Sequence, residues 1–199
     1  MVDEAPWLVV GLGNPGPKYA GHRHNAGFMV VDAWLDDREA PLAPMWREKF
    51  HGLVATTSGA FGRAVVLKPQ TFMNRSGKAV QAAAAFHQVP SARIVVVHDE
   101  LDFEFGRVAV KCGGGHGGHN GLRDIIAITG KSDFIRLRIG IGRPGPGRTD
   151  VAGWVLSDFT ASERAETPDL WRHASRAITA IVERGPAVAM NEFNTPRGT

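Results

Sequence analysis

The residues best suited to chemistry in this chain are three asparagines, a histidine and an aspartate in loops. They are Asn14 in GLGNPG (11–16), His24 in RHN (23–25), Asn74 in TFMN (71–74), Asp99 in HDELD (98–102) and Asn120 in GGGHGGHNG (113–121). An asparagine amide both donates and accepts hydrogen bonds without charge, so several together can hold amides and ribose hydroxyls. Loops of this kind commonly carry function. The set predicts a hydrolytic site for a neutral substrate that bears amide and ribose groups.

His24 and Asp99 are predicted to work as a pair. A carboxylate bonded to one imidazole nitrogen fixes the tautomer and stabilises the protonated ring, which makes the other nitrogen a better base. Asp99 is the first acid after its predicted strand, whereas Glu100 and Asp102 are expected to be solvated or to shape the next loop. No Ser or Thr in these loops lies in a G-x-S-x-G turn. Water is therefore the predicted nucleophile.

These loops separate alternating predicted strands and helices. Apolar or alternating runs predict strands at 7–12, 50–57, 63–67, 93–98, 107–111 and 134–140. Helical patterns are found at 25–37, where Asn25 is expected to cap the helix, and at 76–87, about 119–129 and about 160–184. This order predicts one α/β domain over 1–199, with a twisted, mixed, largely parallel sheet flanked by helices and a short C-terminal tail.

The predicted fold places the loops together. In open α/β sheets, ligands bind beyond the carboxyl ends of the strands. Asn14, Asn74 and Asp99 each follow such an end, and Asn120 follows the strand at 107–111 across a glycine loop. We therefore expect all four side chains to share one rim of the sheet.

The composition is that of an ordinary globular chain of 199 residues, 43% hydrophobic and 22% charged. No run approaches the roughly 18 apolar residues of a membrane span, and the first residues, MVDEAP, show no signal peptide. Cys112 is the only cysteine, which excludes an internal disulfide and a multi-cysteine zinc site. A reducing cytoplasm fits this cysteine content.

The net charge of +3 is unevenly distributed. Residues 103–148 hold eight basic side chains against three acidic ones, a net charge of +5. Such a zone suggests contact with a polyanion. A solvated surface that happens to carry arginines would give the same count, so charge alone leaves both interpretations open.

The first glycine loop matches a dinucleotide fingerprint, G-x-G-x-x-G, directly after a strand. Pro15 removes an amide from the turn that would hold a pyrophosphate, and Pro17 delays the helix that should follow at once. The acidic Asp32 lies inside the first helix and not after a second strand. A tight turn that positions Asn14 is favoured over a nucleotide site.

The second glycine loop opens with five glycines in six residues, which costs folding entropy unless close approach or movement requires it. A metal site would use His116 and His119 with His22 or His24, but it lacks a clear carboxylate and a helical i, i+4 pair. A nucleophilic Cys112 beside His119 lacks a capping pattern, so a packed cysteine is favoured.

Six blocks in order resemble the bacterial-type peptidyl-tRNA hydrolase family. They are GLGNPGPKY (11–19), RHNAG (23–27), KPQTFMNRSG (68–77), HDELD (98–102), GGGHGGHNGLRDI (113–125) and RLRIGIGRP (136–144). With the elements between them they cover most of the chain to about residue 159. The C-terminal helix and the tail after Asn194 carry no such motif.

The resemblance implies an enzyme that hydrolyses the ester between a peptide carboxylate and the ribose of tRNA, which recycles the tRNA. It implies a cytoplasmic, generally monomeric protein without metal, cofactor, membrane contact or obligate protein partner. His24 would be the general base, Asp99 its orienting partner, and Asn14 the group that distinguishes N-blocked peptides from free aminoacyl ends. The remaining assignments are acceptor-end contacts for Tyr19, Phe72, Asn74 and Asn120, peptide packing for Met73, a 5′-phosphate clamp for Lys111 and Arg138, and a secondary role for His119.

Two other functions stay open on the residues alone. A non-catalytic RNA-binding module would explain the basic zone, but not the asparagines and histidine at strand ends, and a usual aromatic stacking surface is missing. A nucleotide-dependent enzyme would use the loop at 11–16. For ester hydrolysis, the amide of Asn74 or Asn120 is the expected donor to the oxyanion.

Overall fold

The computed structural model describes residues 5–37, 45–145 and 150–195. Within these ranges, seven strands form one sheet and six α-helices accompany it. The strands are β1 (Trp7–Gly11), β2 (Arg47–Lys49), β3 (Gly52–Gly59), β4 (Gly62–Pro69), β5 (Ile94–Glu100), β6 (Val108–Cys112) and β7 (Ile135–Gly140). The helices are α1 (Ala26–Asp36), α2 (Ser76–Phe86), α3 (Asn120–Thr129), α4 (Val151–Val155), α5 (Ala161–Arg184) and α6 (Pro186–Phe193).

The sheet has the order β2-β3-β4-β1-β5-β7-β6. Its central strands β4, β1, β5 and β7 are parallel. The pairings of β2 with β3, β3 with β4, and β6 with β7 are antiparallel. The predicted single α/β domain with a mixed, largely parallel sheet is confirmed.

Both faces of the central strands are covered, which explains why these strands are apolar throughout. On one face Val9 and Val97 belong to a core that includes Trp34 of α1 and Ile178 of α5. On the other face, residues such as Val96 pack in a core with α2 and α3. Alternate residues of a strand point to opposite faces, so each central strand supplies both cores.

Helix α1 begins directly against the ends of β1 and β5. A Cβ on Gly27 would lie 2.4 Å from the Leu12 nitrogen and 2.4 Å from the Val97 oxygen, and one on Gly11 would lie 2.4 Å from the Gly27 oxygen. Only glycine permits this approach. The first glycine of the dinucleotide-like loop therefore serves helix packing, and the turn before α1 is brought to the end of β5.

Strand β6 runs against its neighbour β7, which overturns part of the expected geometry. Its last residue, Cys112, pairs with Ile135, the first residue of β7. The carboxyl end of β6 therefore lies at the opposite edge from those of β1, β4 and β5. Asn120 was expected to reach the rim across a glycine loop from a strand that ends there, and only the position of that strand end is wrong. Residues 113–119 carry the chain back from the opposite edge, and Arg136 donates to the carbonyls of Gly114 and Gly115 on the way.

The predicted C-terminal helix at about 160–184 is observed as α5, with Thr160 and Glu163 forming a reciprocal capping box. The sequence analysis missed β2, α4 and α6. The side chain of Asn194, just after α6, bonds the backbone of Val110 as a neighbouring strand would. It accepts from the Val110 nitrogen at 2.7 Å and donates to the Val110 oxygen at 2.9 Å. These bonds pair the backbone N–H and C=O of Val110 at the open edge of β6.

No helix in the described part of the chain combines the length and apolar character that a bilayer crossing requires.

Candidate active site

His24 and Asp99 meet at the carboxyl end of β5, as the sequence predicts. Nδ1 of His24 lies 2.8 Å from Oδ1 and 3.0 Å from Oδ2 of Asp99. His24 stands in a short 3-10 turn, Arg23–Asn25, immediately before α1, and both side chains are buried. Because an ionised carboxylate only accepts hydrogen bonds, Nδ1 of His24 donates and Nε2 keeps its lone pair.

The electrostatics of this pair suit a base. Burial alone would lower the pKa of His24, but the charge and hydrogen bond of Asp99 raise it above its ordinary value. Burial would raise the pKa of Asp99, yet His24 and His119 hold it well below its usual range. The acid thus stays ionised and stabilises a proton on the ring of His24.

His119 is the N-cap of α3 and a second partner of Asp99. Its Nδ1 accepts from the backbone nitrogens of Gly121 and Leu122, at 3.2 and 3.4 Å. Its Nε2 therefore carries the proton and donates to Oδ1 of Asp99 at 2.9 Å. His24, Asp99 and His119 have the types and spacing of metal ligands. However, the bonding of His119 directs an N–H, not a lone pair, toward the other two, so the donor set does not suit a cation.

His98 is a buried neighbour that the sequence analysis left without a role. Its Nδ1 donates to the backbone oxygen of Asp99 at 2.7 Å, and its ring lies edge-on to His119 at 5.0 Å. Burial lowers the pKa of His98 to about 3, so the ring is neutral. Its position directly before Asp99 was the available sequence signal.

Asn14 is held with a defined orientation. Its Oδ1 accepts from the Met73 nitrogen at 2.8 Å. Its backbone nitrogen donates to Oδ1 of Asn25 at 2.9 Å, and its backbone oxygen accepts from Nδ2 of Asn25 at 3.0 Å. Nδ2 of Asn14 is thereby left as a donor toward the pocket. Asn25 occupies the N-cap position of α1, as expected, but its side chain bonds the Asn14 loop in place of the helix.

These side chains line one pocket of about 630 Å³. It brings together seven of the residues predicted for the site besides His24: Asn14, Phe72, Met73, Asn74, Asp99, His119 and Asn120. Leu101 and residues of α4 form an apolar wall of the pocket that the sequence did not predict. Tyr19 lies outside the lining but contacts Phe72 edge-on, with ring centroids 6.2 Å apart.

Lys111 and Arg138 lie on adjacent strands outside the pocket. Lys111 pairs in register with Arg136, and Arg138 pairs with Ala109, so the two cations share one face of the sheet as diagonal neighbours. Arg138 donates from Nε to Glu100 at 3.0 Å and remains partly exposed, and Lys111 is exposed. An anion could contact both side chains.

The rest of the basic zone is partly structural. Arg136 is 3% exposed and holds the glycine loop, and Arg143 pairs with Asp102. Cys112 is exposed, with Sγ 3.9 Å from Sδ of Met190, so the expectation of a packed cysteine is wrong. It lies at the opposite edge of the sheet from the end of β5, which does not favour a pairing with His119.

A family model described as peptidyl-tRNA hydrolase matches residues 8–199. The chain belongs to this family. It is 51% identical over 189 residues to the peptidyl-tRNA hydrolase of Sorangium cellulosum, covering 94% of this chain and 83% of that protein. It is 48% identical over 191 residues to that of Mycobacterium tuberculosis (strain H37Ra), covering 95% and 97%. The crystal structure of peptidyl-tRNA hydrolase from Acinetobacter baumannii matches with a TM-score of 0.86 at 38% identity, covering 98% and 97%.

The peptidyl-tRNA hydrolase match extends well beyond the six sequence blocks. It includes α4, α5 and α6, for which the sequence analysis found no motif. The resemblance stated from the motifs is confirmed, and membership of the peptidyl-tRNA hydrolase family makes the chain a hydrolase.

Proposed function

We propose that the protein hydrolyses the ester between the carboxyl end of an N-blocked peptide and the ribose of tRNA, releasing free tRNA and peptide. The observation that carries the proposal is the buried His24–Asp99 pair, which leaves Nε2 of His24 free beside a pocket lined by three asparagines. The protein would act in the cytoplasm as a single chain, as one catalytic domain over 1–199, without metal or cofactor.

In the proposed reaction, Nε2 of His24 takes a proton from water as the water oxygen attacks the ester carbonyl carbon. The tetrahedral intermediate then collapses, the carbon–oxygen bond to ribose breaks, and the proton on His24 passes to the departing ribose oxygen. Asp99 stabilises the transient imidazolium and keeps Nδ1 protonated. One water is consumed, and a carboxylic acid and a ribose hydroxyl are formed.

The asparagines supply neutral donors. Nδ2 of Asn14 suits the carbonyl of the blocking group or of the next peptide bond, which a free aminoacyl end lacks. An ammonium at that place would meet a donor in place of an acceptor. Oδ1 of Asn120 accepts from Arg123 at 3.3 Å, which leaves its Nδ2 available. Asn120 is therefore the better candidate than Asn74 for the oxyanion, with Asn74 holding the ribose.

The tRNA would be held mainly through its phosphates, because the substrate class includes many tRNA sequences. Lys111 and Arg138 would hold the 5′ phosphate. Phe72 is exposed at the pocket and Tyr19 lies beside it, so both suit contact with the terminal base. Met73 would pack against the peptide, and His119 would keep Asp99 in place.

The test is release of free tRNA from N-acetyl-aminoacyl-tRNA by purified protein. His24→Ala should lower kcat by about two to four orders of magnitude, because general-base catalysis is lost. His87→Ala, which changes a histidine beyond the end of α2, is the matched control and should retain parental kcat. Near-parental turnover by His24→Ala would place the base elsewhere. A protein that binds the tRNA without releasing product would be a binding module.

A further inference from the structure

Arg23, which directly precedes His24, is a buried cation held by a carboxylate and two aromatic rings. It is 1% exposed, and its Nη1 and Nη2 donate to the two carboxylate oxygens of Glu163 at 2.8 and 2.7 Å. The guanidinium lies 3.9 Å from the ring centroid of Trp154 and 5.0 Å from that of Phe159. The guanidinium of Arg23 is thus paired with a carboxylate through both terminal nitrogens and packed against aromatic rings.

These contacts join the turn to a wall of the pocket. Trp154 belongs to α4, whose Val151, Ala152 and Val155 line the pocket. Trp154 also donates from Nε1 to the Gly142 oxygen at 2.9 Å, which ties α4 to the end of β7. Arg23 therefore joins α4 directly to the turn that carries the base.

The turn is too short to absorb a displacement. Arg23, His24 and Asn25 are consecutive, and their side chains bond three different partners: Glu163, Asp99 and the backbone of Asn14. The backbone of Arg23 is itself fixed, since its nitrogen donates to the Ser157 oxygen at 2.9 Å. Without the contacts of its guanidinium, Arg23 would be held only through its backbone, and the adjacent imidazole of His24 would be less firmly aligned on Asp99.

Fold stability alone is a weak reason for such a pair. Burying an arginine and a carboxylate costs desolvation, and apolar residues of similar size often stabilise a core as well. A bidentate arginine–carboxylate contact does fix direction and rotation, which a lysine or an apolar pair cannot do. The observed geometry is the one that favours orientation over net stability.

We propose that Arg23, clasped by Glu163 and stacked on Trp154, is a positioning residue that orients His24 on Asp99 and couples the base to helix α4. The inference rests on the proposed hydrolysis, for which His24 is the base. A peptide that packs on α4 would then act on the base through Arg23.

The change in the pKa of His24 distinguishes a positioning role of Arg23 from a purely electrostatic one. The titratable groups that face His24 are Asp99 and His119, with His98 behind Asp99 and with Arg23 and Glu163 on the far side of the turn. Arg23→Gln leaves the negative charge of Glu163 unpaired, which by charge alone raises the pKa of His24. Loss of alignment with Asp99 lowers it. A fall is therefore diagnostic of misalignment.

The experiment measures kcat and KM on N-acetyl-aminoacyl-tRNA, and titrates the histidine rings of isotope-labelled protein by NMR without substrate. Arg23→Gln and Trp154→Leu should lower kcat about 10- to 100-fold with KM within about threefold, because small misplacements of a catalytic group have effects of this order. Glu163→Gln should show a smaller loss in kcat. In Arg23→Gln the pKa of His24 should fall by about half a unit or more.

Thr160→Ala is the matched control, since it removes the hydroxyl half of the capping box of α5 but keeps the backbone bond from Thr160 to Glu163 and the contact between Arg23 and Glu163. It should lower the melting temperature but keep kcat and the pKa of His24 at parental values. Trp154→Phe keeps an aromatic ring over Arg23 and should recover most of the kcat that Trp154→Leu loses.

Parental kcat and an unchanged pKa of His24 in folded Arg23→Gln would overturn the inference, and so would an equal loss of kcat in Thr160→Ala. If Arg23→Gln does not fold, Trp154→Leu decides by the same criteria and Glu163→Gln by kcat alone, because the loss of its negative charge would itself lower the pKa of His24. Failure of the parental protein to release tRNA, or parental turnover in His24→Ala, would refute the proposed hydrolysis instead. The NMR titration still reports on the positioning contact in that case.

Discussion

Two neighbouring regions of this molecule are built in opposite ways. Around the turn that carries His24, the polar side chains are buried and already bonded to each other: His24 to Asp99, Asn25 to the Asn14 loop, and Arg23 to Glu163. On the face of β6 and β7, Lys111 is exposed and the partner of Arg138 is a partly exposed carboxylate. The first region is organised before substrate binds, whereas the second can rearrange.

The difference follows from the topology. The proposed catalytic residues lie at or beside the ends of parallel central strands, where α1 is packed closely on the backbone at Gly11 and Gly27. Strand β6 is antiparallel and at the edge, and the loop after it has left-handed glycines, among them Gly117 and Gly118, with open space at their Cβ positions. Proton transfer needs fixed geometry, while phosphate binding tolerates adjustment. The molecule places each task where the backbone suits it.

The largest effect on kcat should come from a substitution of Asp99, the buried acid of the region around His24. Asp99→Asn is expected to lower kcat by about three to four orders of magnitude, because the amide neither stabilises the imidazolium nor fixes the tautomer of His24. Affinity for tRNA should change only modestly. Single-turnover hydrolysis and filter binding measure the two quantities separately, with Asp133→Asn at an exposed position as the control. A loss of tRNA affinity as large as the loss of kcat would make Asp99 a structural residue.

A second, smaller effect should appear in the pH profile of kcat/KM. His24 must be deprotonated to act as a base, and Asp99 raises its pKa above the ordinary 6.5. Activity should therefore fall as pH drops through that raised value, by about tenfold for each unit below it. An acid limb below 6.5 would contradict the assignment.

The same shifts give a pH dependence of stability with opposite signs. The stabilisation from the raised pKa of His24 is full below 6.5 and is lost as pH rises through the folded-state value. The stabilisation from the lowered pKa of Asp99 is full above 3.8 and is lost as pH falls. Urea unfolding across pH measures both. In Asp99→Asn the contribution of Asp99 should vanish and that of His24 should reverse, because burial alone lowers the pKa of His24.

The two regions also differ in how far the sequence predicts them. Asn14 and Asn74 lie shortly beyond strands that run parallel in the sheet, and Asp99 lies near the carboxyl end of a third, so the order of elements was enough to bring them together. The path to Asn120 was not predictable in this way, because the direction of β6 depends on its pairing with a strand more than twenty residues later in the chain. The asparagine reaches the pocket through a loop whose course is set by Arg136.

Arg23 shows a second limit of sequence reasoning. Its partner Glu163 is 140 residues away, and Trp154 lies in a helix of five residues, too short for a helical period to be recognised. The T-x-x-E pattern at 160–163 was the one visible signal, and it indicates a helix start. The contacts of Arg23 with Glu163 and Trp154 therefore become apparent only in the folded structure.

The smallest effect should come from the second region, the exposed face of β6 and β7 that carries Lys111 and Arg138. Lys111→Gln is expected to weaken tRNA binding several-fold and to reduce the slope of log affinity against log salt by about one unit, as for one lost phosphate contact. kcat at saturation should stay parental, because His24 and Asp99 are untouched. Lys131→Gln, an exposed lysine of the same basic zone, is the control and should leave the slope unchanged. Glu100→Gln should have the reverse effect on affinity, since it releases Arg138 for the phosphate. If Lys111→Gln instead lowers kcat and spares the salt slope, this strand pair belongs to the fixed catalytic region, and the contrast between the two regions fails.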